Sequence, residues 1–245
     1  MPRLAIVSDI HGNLIALDAV VADLERRGIR RVVHGGDLAL GGCRPAEVID
    51  RVRELQWPGV VGNVDELLWA PDQLECQLWR APKLSGLLHV LFDDYAPATL
   101  ALIGERRLES LLTLPAEHRE PGMLVVHATA GDLWRAPMPD ADDGDLRGTY
   151  EPCRAELVVY GHIHRPYVRR LAGLVVANSG SVGSPFDGDP RASYLLVDGN
   201  SVEIVRVEYD IERETALLGR SGYPDAARIA EMRRLGRFLP ISKTV

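Results

Sequence analysis

Cysteine is scarce in this 245-residue chain: three residues, Cys43, Cys76 and Cys153, with no CxxC pair among them. A disulfide framework and a thiolate zinc site are therefore excluded, and the three read as isolated buried or surface thiols. Basic charge is also in short supply, with 28 Lys and Arg against 35 Asp and Glu and a formal net charge of -7. No extended nucleic-acid surface is expected, because phosphate-backbone binding relies on clustered cations; a nucleotide-sized anion can still be bound by metals. No stretch reads as long and uncharged enough to span a bilayer. The short apolar run Leu4 to Val7 leads straight into Ser8-Asp9-Ile10-His11, unlike a secretory signal. A soluble, cytoplasmic protein with no membrane association is expected. Repeats, low-complexity tracts and flexible linkers are missing too.

What is present is 46% apolar content, enough for a substantial core, and residues 1–245 read as one domain. Short β-branched runs alternate with helical patterns in the N-terminal half, which predicts an α/β fold with much parallel sheet. Strands are predicted at Leu4–Val7, Arg30–Val33 and Gly59–Val61. A helix capped by Asn13 and stopped by Gly28 presents Leu14, Leu17, Val20, Val21 and Leu24, and a second begins at Pro45 and ends at Leu55. Residues 65–114 lose the strand pattern and read as a helical, cap-like insertion. Strands resume at Met123–Val126, Leu157–Tyr160, Tyr167–Leu171, Leu174–Ala177, Tyr194–Val197 and Val202–Val207, the last two joined through Asp198-Gly199-Asn200. A final helix covers Asp225–Leu235.

Five apolar runs each lead into a polar group able to bind metal: Asp9 and His11, Asp37, Asn63, His127, and His162 with His164. Ligands in open α/β sheets bind at the carboxyl ends of strands, so the five sets can converge. Residues two apart in an extended segment face the same side, which lets Asp9 pair with His11 and His162 with His164. Glycines at 35, 36, 62 and 161 permit sharp turns and close approach. Two carboxylates, one amide oxygen and four imidazoles suit Mn, Fe, Co, Ni or Zn better than Mg or Ca, with Mn favoured. Two ions about 3.5 to 4 Å apart need a bridging carboxylate, for which Asp37 is the natural choice.

These segments resemble the calcineurin-like metallophosphoesterases. The shared text is Ser8-Asp9-Ile10-His11-Gly12-Asn13, Gly35-Gly36-Asp37, Gly62-Asn63-Val64-Asp65, His127 and Gly161-His162-Ile163-His164. The later Asn178-Ser179-Gly180-Ser181-Val182-Gly183 is similar to a loop of the small bacterial phosphodiesterase-like branch. The resemblance implies two mixed β-sheets packed face to face with flanking helices. It also implies one metal held by Asp9, His11, Asp37 and His164 and a second held by Asp37, Asn63, His127 and His162. A metal-activated hydroxide then attacks a phosphate ester, with no protein nucleophile. The departure is Val64, which stands where the family has a histidine that binds phosphate or protonates the leaving group, so Asp65 loses the partner it would orient.

Val64 favours diesters or esters with good leaving groups, and the expected substrate is a small, nucleotide-like phosphodiester. The alternatives are a phosphomonoesterase or protein phosphatase, a dinucleoside-polyphosphate hydrolase, and a weakly catalytic metal-binding scaffold. Asn13 and Arg44 are candidate substrate contacts, although N-capping and solvation account for them as well. His34 reads as a packed residue near the site, and His89 and His118 as exposed structural ones. Trp69, Trp79 and Trp134 read as core or cap packing, with stacking on a nucleobase as the alternative.

Overall fold

The computed structural model describes residues 3–241. Its elements run β1 (Leu4–Val7), α1 (Leu14–Arg26), β2 (Arg31–His34), α2 (Pro45–Glu54), α3 (Asn63–Glu66), α4 (Gln73–Arg80), α5 (Ser85–His89), a π-helical turn (Val90–Tyr95), α6 (Ala96–Leu112), β3 (Glu117–Glu120) and β4 (Met123–Val126). They continue through α7 (Asp143–Tyr150), β5 (Leu157–Tyr160), β6 (Tyr167–Leu171), β7 (Leu174–Asn178), β8 (Ala192–Asp198), β9 (Ser201–Val207), α8 (Ile211–Arg220) and α9 (Ala226–Leu235). One sheet has the order β2-β1-β8-β9 and the other β3-β4-β5-β7-β6. Both are mixed: β1 with β2, β4 with β5, and β5 with β7 are parallel, while the remaining pairings are antiparallel.

The period-2 alternation of side chains distributes each central strand between two cores. Leu4, Ile6, Val33, Met123, Val125, Val159, Ala177 and Leu195 form one layer between the sheets. The intervening Ala5 and Val7 pack with Leu17, Val20 and Val21 of α1 and with Val48 and Ile49 of α2. On the second sheet, Leu124, Val126, Val158 and Tyr160 pack with Leu146 and Tyr150 of α7. Burial on both faces is why these strands read as unbroken apolar runs. Helix α1 begins as its sequence predicts, with Asn13 Oδ1 accepting from Ala16 N at 3.0 Å.

The third predicted strand does not form. Gly59 makes only an isolated parallel bridge to His34, and Val61 N turns away to Pro115 O at 2.9 Å. Pro58 has no N–H to extend the ladder. Three elements were not predicted: β3, whose Glu-His-Arg-Glu sequence lacks apolar alternation, α7 and α8. The insertion is helical as predicted. Contrary to the expectation that no stretch is long and uncharged enough to span a bilayer, its run Pro82–Leu112 is long and apolar enough by length and composition. Here Ala96, Thr99, Ile103 and Leu111 of that run are buried, and Arg107 clamps Asp50 of α2 at 2.9 and 2.6 Å. Trp134 stacks on Phe92 and Trp69 packs against the core, whereas Trp79 is 84% exposed, contrary to the packing expected of it.

Candidate metal centre

The ends of β1, β2, β4 and β5, together with the first residue of α3, deliver all seven predicted donors to one place. The chain beyond β1 stays tied on both sides. Asp9 N donates to Gly36 O and His11 N to Asp37 O, both at 3.0 Å, while Val182 N and Gly183 N donate to Ser8 O and Asp9 O at 2.9 and 3.0 Å. Within these ties the backbone is not extended. Asp9, His11, Asp37, His162 and His164 all occupy the left-handed region, with φ between 50° and 65°. The pairing of Asp9 with His11, and of His162 with His164, thus arises from left-handed turns rather than from strand periodicity. Asp and His are among the residues that adopt this conformation most readily, and clusters of it mark functional sites.

Two glycines are obligatory here. A Cβ on Gly62 would lie 1.9 Å from Asp37 Oδ1, and one on Gly161 would lie 2.3 Å from Asp9 Oδ2. Both backbones therefore press directly against the carboxylates.

Asp9, His11, Asp37 and His164 bring one ligand atom each within 4.8 Å of one another. His164 Nε2 lies 3.1 Å from Asp9 Oδ1, and His11 Nε2 lies 3.8 Å from Asp37 Oδ2. On the other side of Asp37, His127 Nε2 lies 3.4 Å from its Oδ2 and 2.8 Å from Asn63 Oδ1, which His162 Nδ1 also faces at 3.0 Å.

The tautomers follow from the partners. Leu40 O, Ser184 O and Gly35 O can only accept, so Nδ1 of His11, His164 and His127 must donate to them. In the neutral rings each Nε2 is then a bare lone pair. Those of His11 and His164 face each other at 3.1 Å, an arrangement that is repulsive unless a cation lies between them. Backbone carbonyls that orient metal-binding imidazoles in this way are a regular feature of metal sites.

The electrostatics agree. Burial, reinforced by the neighbouring imidazole of His164, lowers His11 to about 4, and burial with His127 lowers His162 to about 4, so both are neutral donors. Burial also disfavours charge on His127, yet Asp37 and Asp9 outweigh it and raise that ring to about 9. Asp37 is held below the ordinary carboxylate range because His127, His11 and His162 outweigh its burial. The centre attracts positive charge.

Asp65, which has no histidine to orient at position 64, accepts instead from Asp37 N, Leu38 N and Gly62 N at 2.7, 3.0 and 3.2 Å. It fastens the β2 loop to the Asn63 turn. Neither candidate substrate contact lines the cavity over the donors. Asn13 is fully buried and commits its amide to Ala16 N, Gly183 O and Tyr209 OH. Arg44 turns toward Glu47 and does not line the cavity over the donors. His34 is buried as expected, under Gly59, and His89 pairs with Asp93 on the surface, but His118 is only partly exposed beside Glu120.

A sequence profile of the calcineurin-like phosphoesterase superfamily domain matches residues 3–201. The chain belongs to this superfamily. An uncharacterized protein of Methanocaldococcus jannaschii is 30% identical over 91% of this chain and 94% of its own length. The phosphodiesterase YfcE of Escherichia coli is 27% identical over 84% and 92%. The crystal structure of a metallophosphoesterase from Sphaerobacter thermophilus superposes with a TM-score of 0.76 at 25% identity, covering 96% of this chain and 99% of that one.

In this calcineurin-like phosphoesterase the loop after β7 supports the centre from behind. Ser181 Oγ donates to Asp9 O at 2.7 Å and accepts from Ser184 N at 2.8 Å, and Phe186 stacks on His164 with centroids 4.3 Å apart. The Asn178 to Gly183 motif signalled this loop, but nothing in the sequence signalled Phe186. Replacing Ser181 by Ala leaves a buried N–H unpaired, an expected cost of about 1–3 kcal/mol. Thermal denaturation should show it as a Tm lower by roughly 2–12 °C, at about 2–4 °C per kcal/mol for a chain of this size; an unchanged Tm would contradict the role given to Ser181.

Proposed function

We propose that the protein is a phosphodiesterase acting on a small cytoplasmic phosphate ester with two divalent transition-metal ions, Mn favoured. Asp9, His11, Asp37 and His164 would hold one ion and Asp37, Asn63, His127 and His162 the other. The observation that carries this reading is the pair of imidazole lone pairs, His11 and His164, aimed at each other beside the Asp9 and Asp37 carboxylates. When bound, such ions lower the pKa of water and neutralise charge on phosphoryl oxygens. The chain's own part is to fix the tautomer and aim of each ring through Leu40, Ser184 and Gly35, and to divide Asp37 between the two donor sets.

Val64 lines the cavity at the donors, and its N–H donates to Asp37 Oδ1 at 3.1 Å. Its side chain carries no proton to give, so a departing alkoxide leaves unprotonated by this position. That favours weakly basic leaving groups and diesters, and the name of the Escherichia coli relative supports the same preference. With Mn²⁺ the protein should bind two ions per chain by elemental analysis and hydrolyse bis(p-nitrophenyl) phosphate faster than p-nitrophenyl phosphate. A metal-loaded protein that turns over neither ester sinks the proposal.

Restoring a proton donor tests the role of position 64. Val64→His should raise kcat for an alkyl diester by roughly 10²-fold, the low end of general-acid contributions. Hydrolysis of the p-nitrophenyl ester should change little. Equal effects on both esters would show that protonation of the leaving group is not what the valine withholds.

A further inference from the structure

The donor cluster opens into a cavity of about 170 Å³. Its far walls come from the insertion and the C-terminal segment: Leu87 and Leu91 on one side, Ile229, Met232 and Phe238 on the other, with Val64 at the floor. Leu91 and Tyr95 of the π-helical turn also line it. Among the described residues, Arg228 is the one Lys or Arg in the lining. It is already engaged, donating to Tyr95 OH at 2.7 Å, Leu239 O at 3.0 Å and Asp225 Oδ2 at 3.2 Å.

From this lining we infer, on the basis of the phosphodiesterase reading above, that the ester group seated in the cavity is a compact aryl group, and that the natural substrates are aryl phosphodiesters. Three observations converge on it. The walls are aliphatic and aromatic, so they favour an uncharged apolar group by burying it. Ligand pockets for larger molecules run to roughly 300–1,000 Å³, so this one takes about a single ring. A phenolate is a weak enough base to depart without the proton that Val64 cannot supply. Among the described residues the lining offers a polyphosphate chain or a phosphorylated peptide no matching array of side-chain cations, and burying uncompensated charge is costly. The hydrolysis itself balances simply: water adds to phosphorus, the P–O bond to the aryl oxygen breaks, and the phenolate takes its proton from solvent.

The test compares two phosphonates that present the same anionic head to the Mn²⁺-loaded protein, phenylphosphonate and methylphosphonate, by titration calorimetry. Phenylphosphonate should bind at least tenfold tighter. Leu91→Asn and Phe238→Ala, at partly exposed positions where folding is not at risk, should each erase most of that difference while methylphosphonate binding stays constant. Equal binding of the two phosphonates to a protein that hydrolyses bis(p-nitrophenyl) phosphate overturns the aryl assignment alone. Binding of neither phosphonate, with no diester turned over, overturns the phosphodiesterase reading and this inference with it.

Discussion

Asp37→Asn should lower kcat for bis(p-nitrophenyl) phosphate by about 10³-fold or more and reduce the bound metal below two ions per chain, because the charge shared by both donor sets is gone. The substitution is chosen to spare the fold. Asp37 Oδ1 accepts from Val64 N at 3.1 Å, and the Asn amide oxygen can keep that bond. The aspartate N–H that Asp65 accepts belongs to the backbone and is untouched. The metal-free variant should still unfold in one cooperative transition, its Tm shifted only by loss of the Asp37–His127 attraction, while elemental analysis and turnover collapse together. A variant that keeps both ions and most of its activity would remove Asp37 from the bridging position.

The second large effect lies behind the donors. Arg233 of α9 is completely buried; it pairs with the equally buried Glu214 of α8 and donates to His11 O at 2.9 Å and Gly41 O at 3.1 Å. It holds the backbone of a predicted ligand in place. Arg233→Met strands a buried carboxylate, which typically costs about 3–5 kcal/mol, a fall in Tm of roughly 6–20 °C at about 2–4 °C per kcal/mol. Replacing both partners, as Arg233→Met with Glu214→Leu, should recover most of that stability, because paired charges can give way to apolar residues at little net cost. The carbonyls of His11 and Gly41 still lack their donor in the double variant, so kcat should remain depressed. Recovery of Tm and kcat together would mean that Arg233 serves the fold only.

Much of the fold was legible because burial on two faces leaves a plain mark. Leu4–Val7, Met123–Val126 and Leu157–Tyr160 are unbroken apolar runs, and each became a strand with the predicted bounds. The donors were legible for a related reason: a buried strand that ends in Asp, Asn or His has no structural motive for that residue. The failures have their own physics. Gly59–Val61 carries strand-like residues but spends its backbone bonds on two different partners. β3 lies at a sheet edge, paired with β4 and tied by Glu120 to Arg31 and by Arg119 to Cys153 O, and its charged side chains give no period to read. The local geometry of the donors was misjudged because left-handed turns at Asp and His look, in sequence, like the x-spaced alternation of a strand. Asp65 and Arg233 were opaque for the opposite reason: a charged residue buried against backbone atoms from distant segments is indistinguishable in sequence from one in solvent.

The two sheets do not contribute alike to the centre. Asp9, His11 and Asp37 extend from strands of one sheet, and His127, His162 and His164 from strands of the other, so the apolar layer between them works as a caliper whose jaws are the donors. The thickness set by Ile6, Val125, Val159 and Ala177 fixes how far the jaws stand apart. A methylene added or removed deep in that layer, far from any substrate, therefore changes the gauge at the tip.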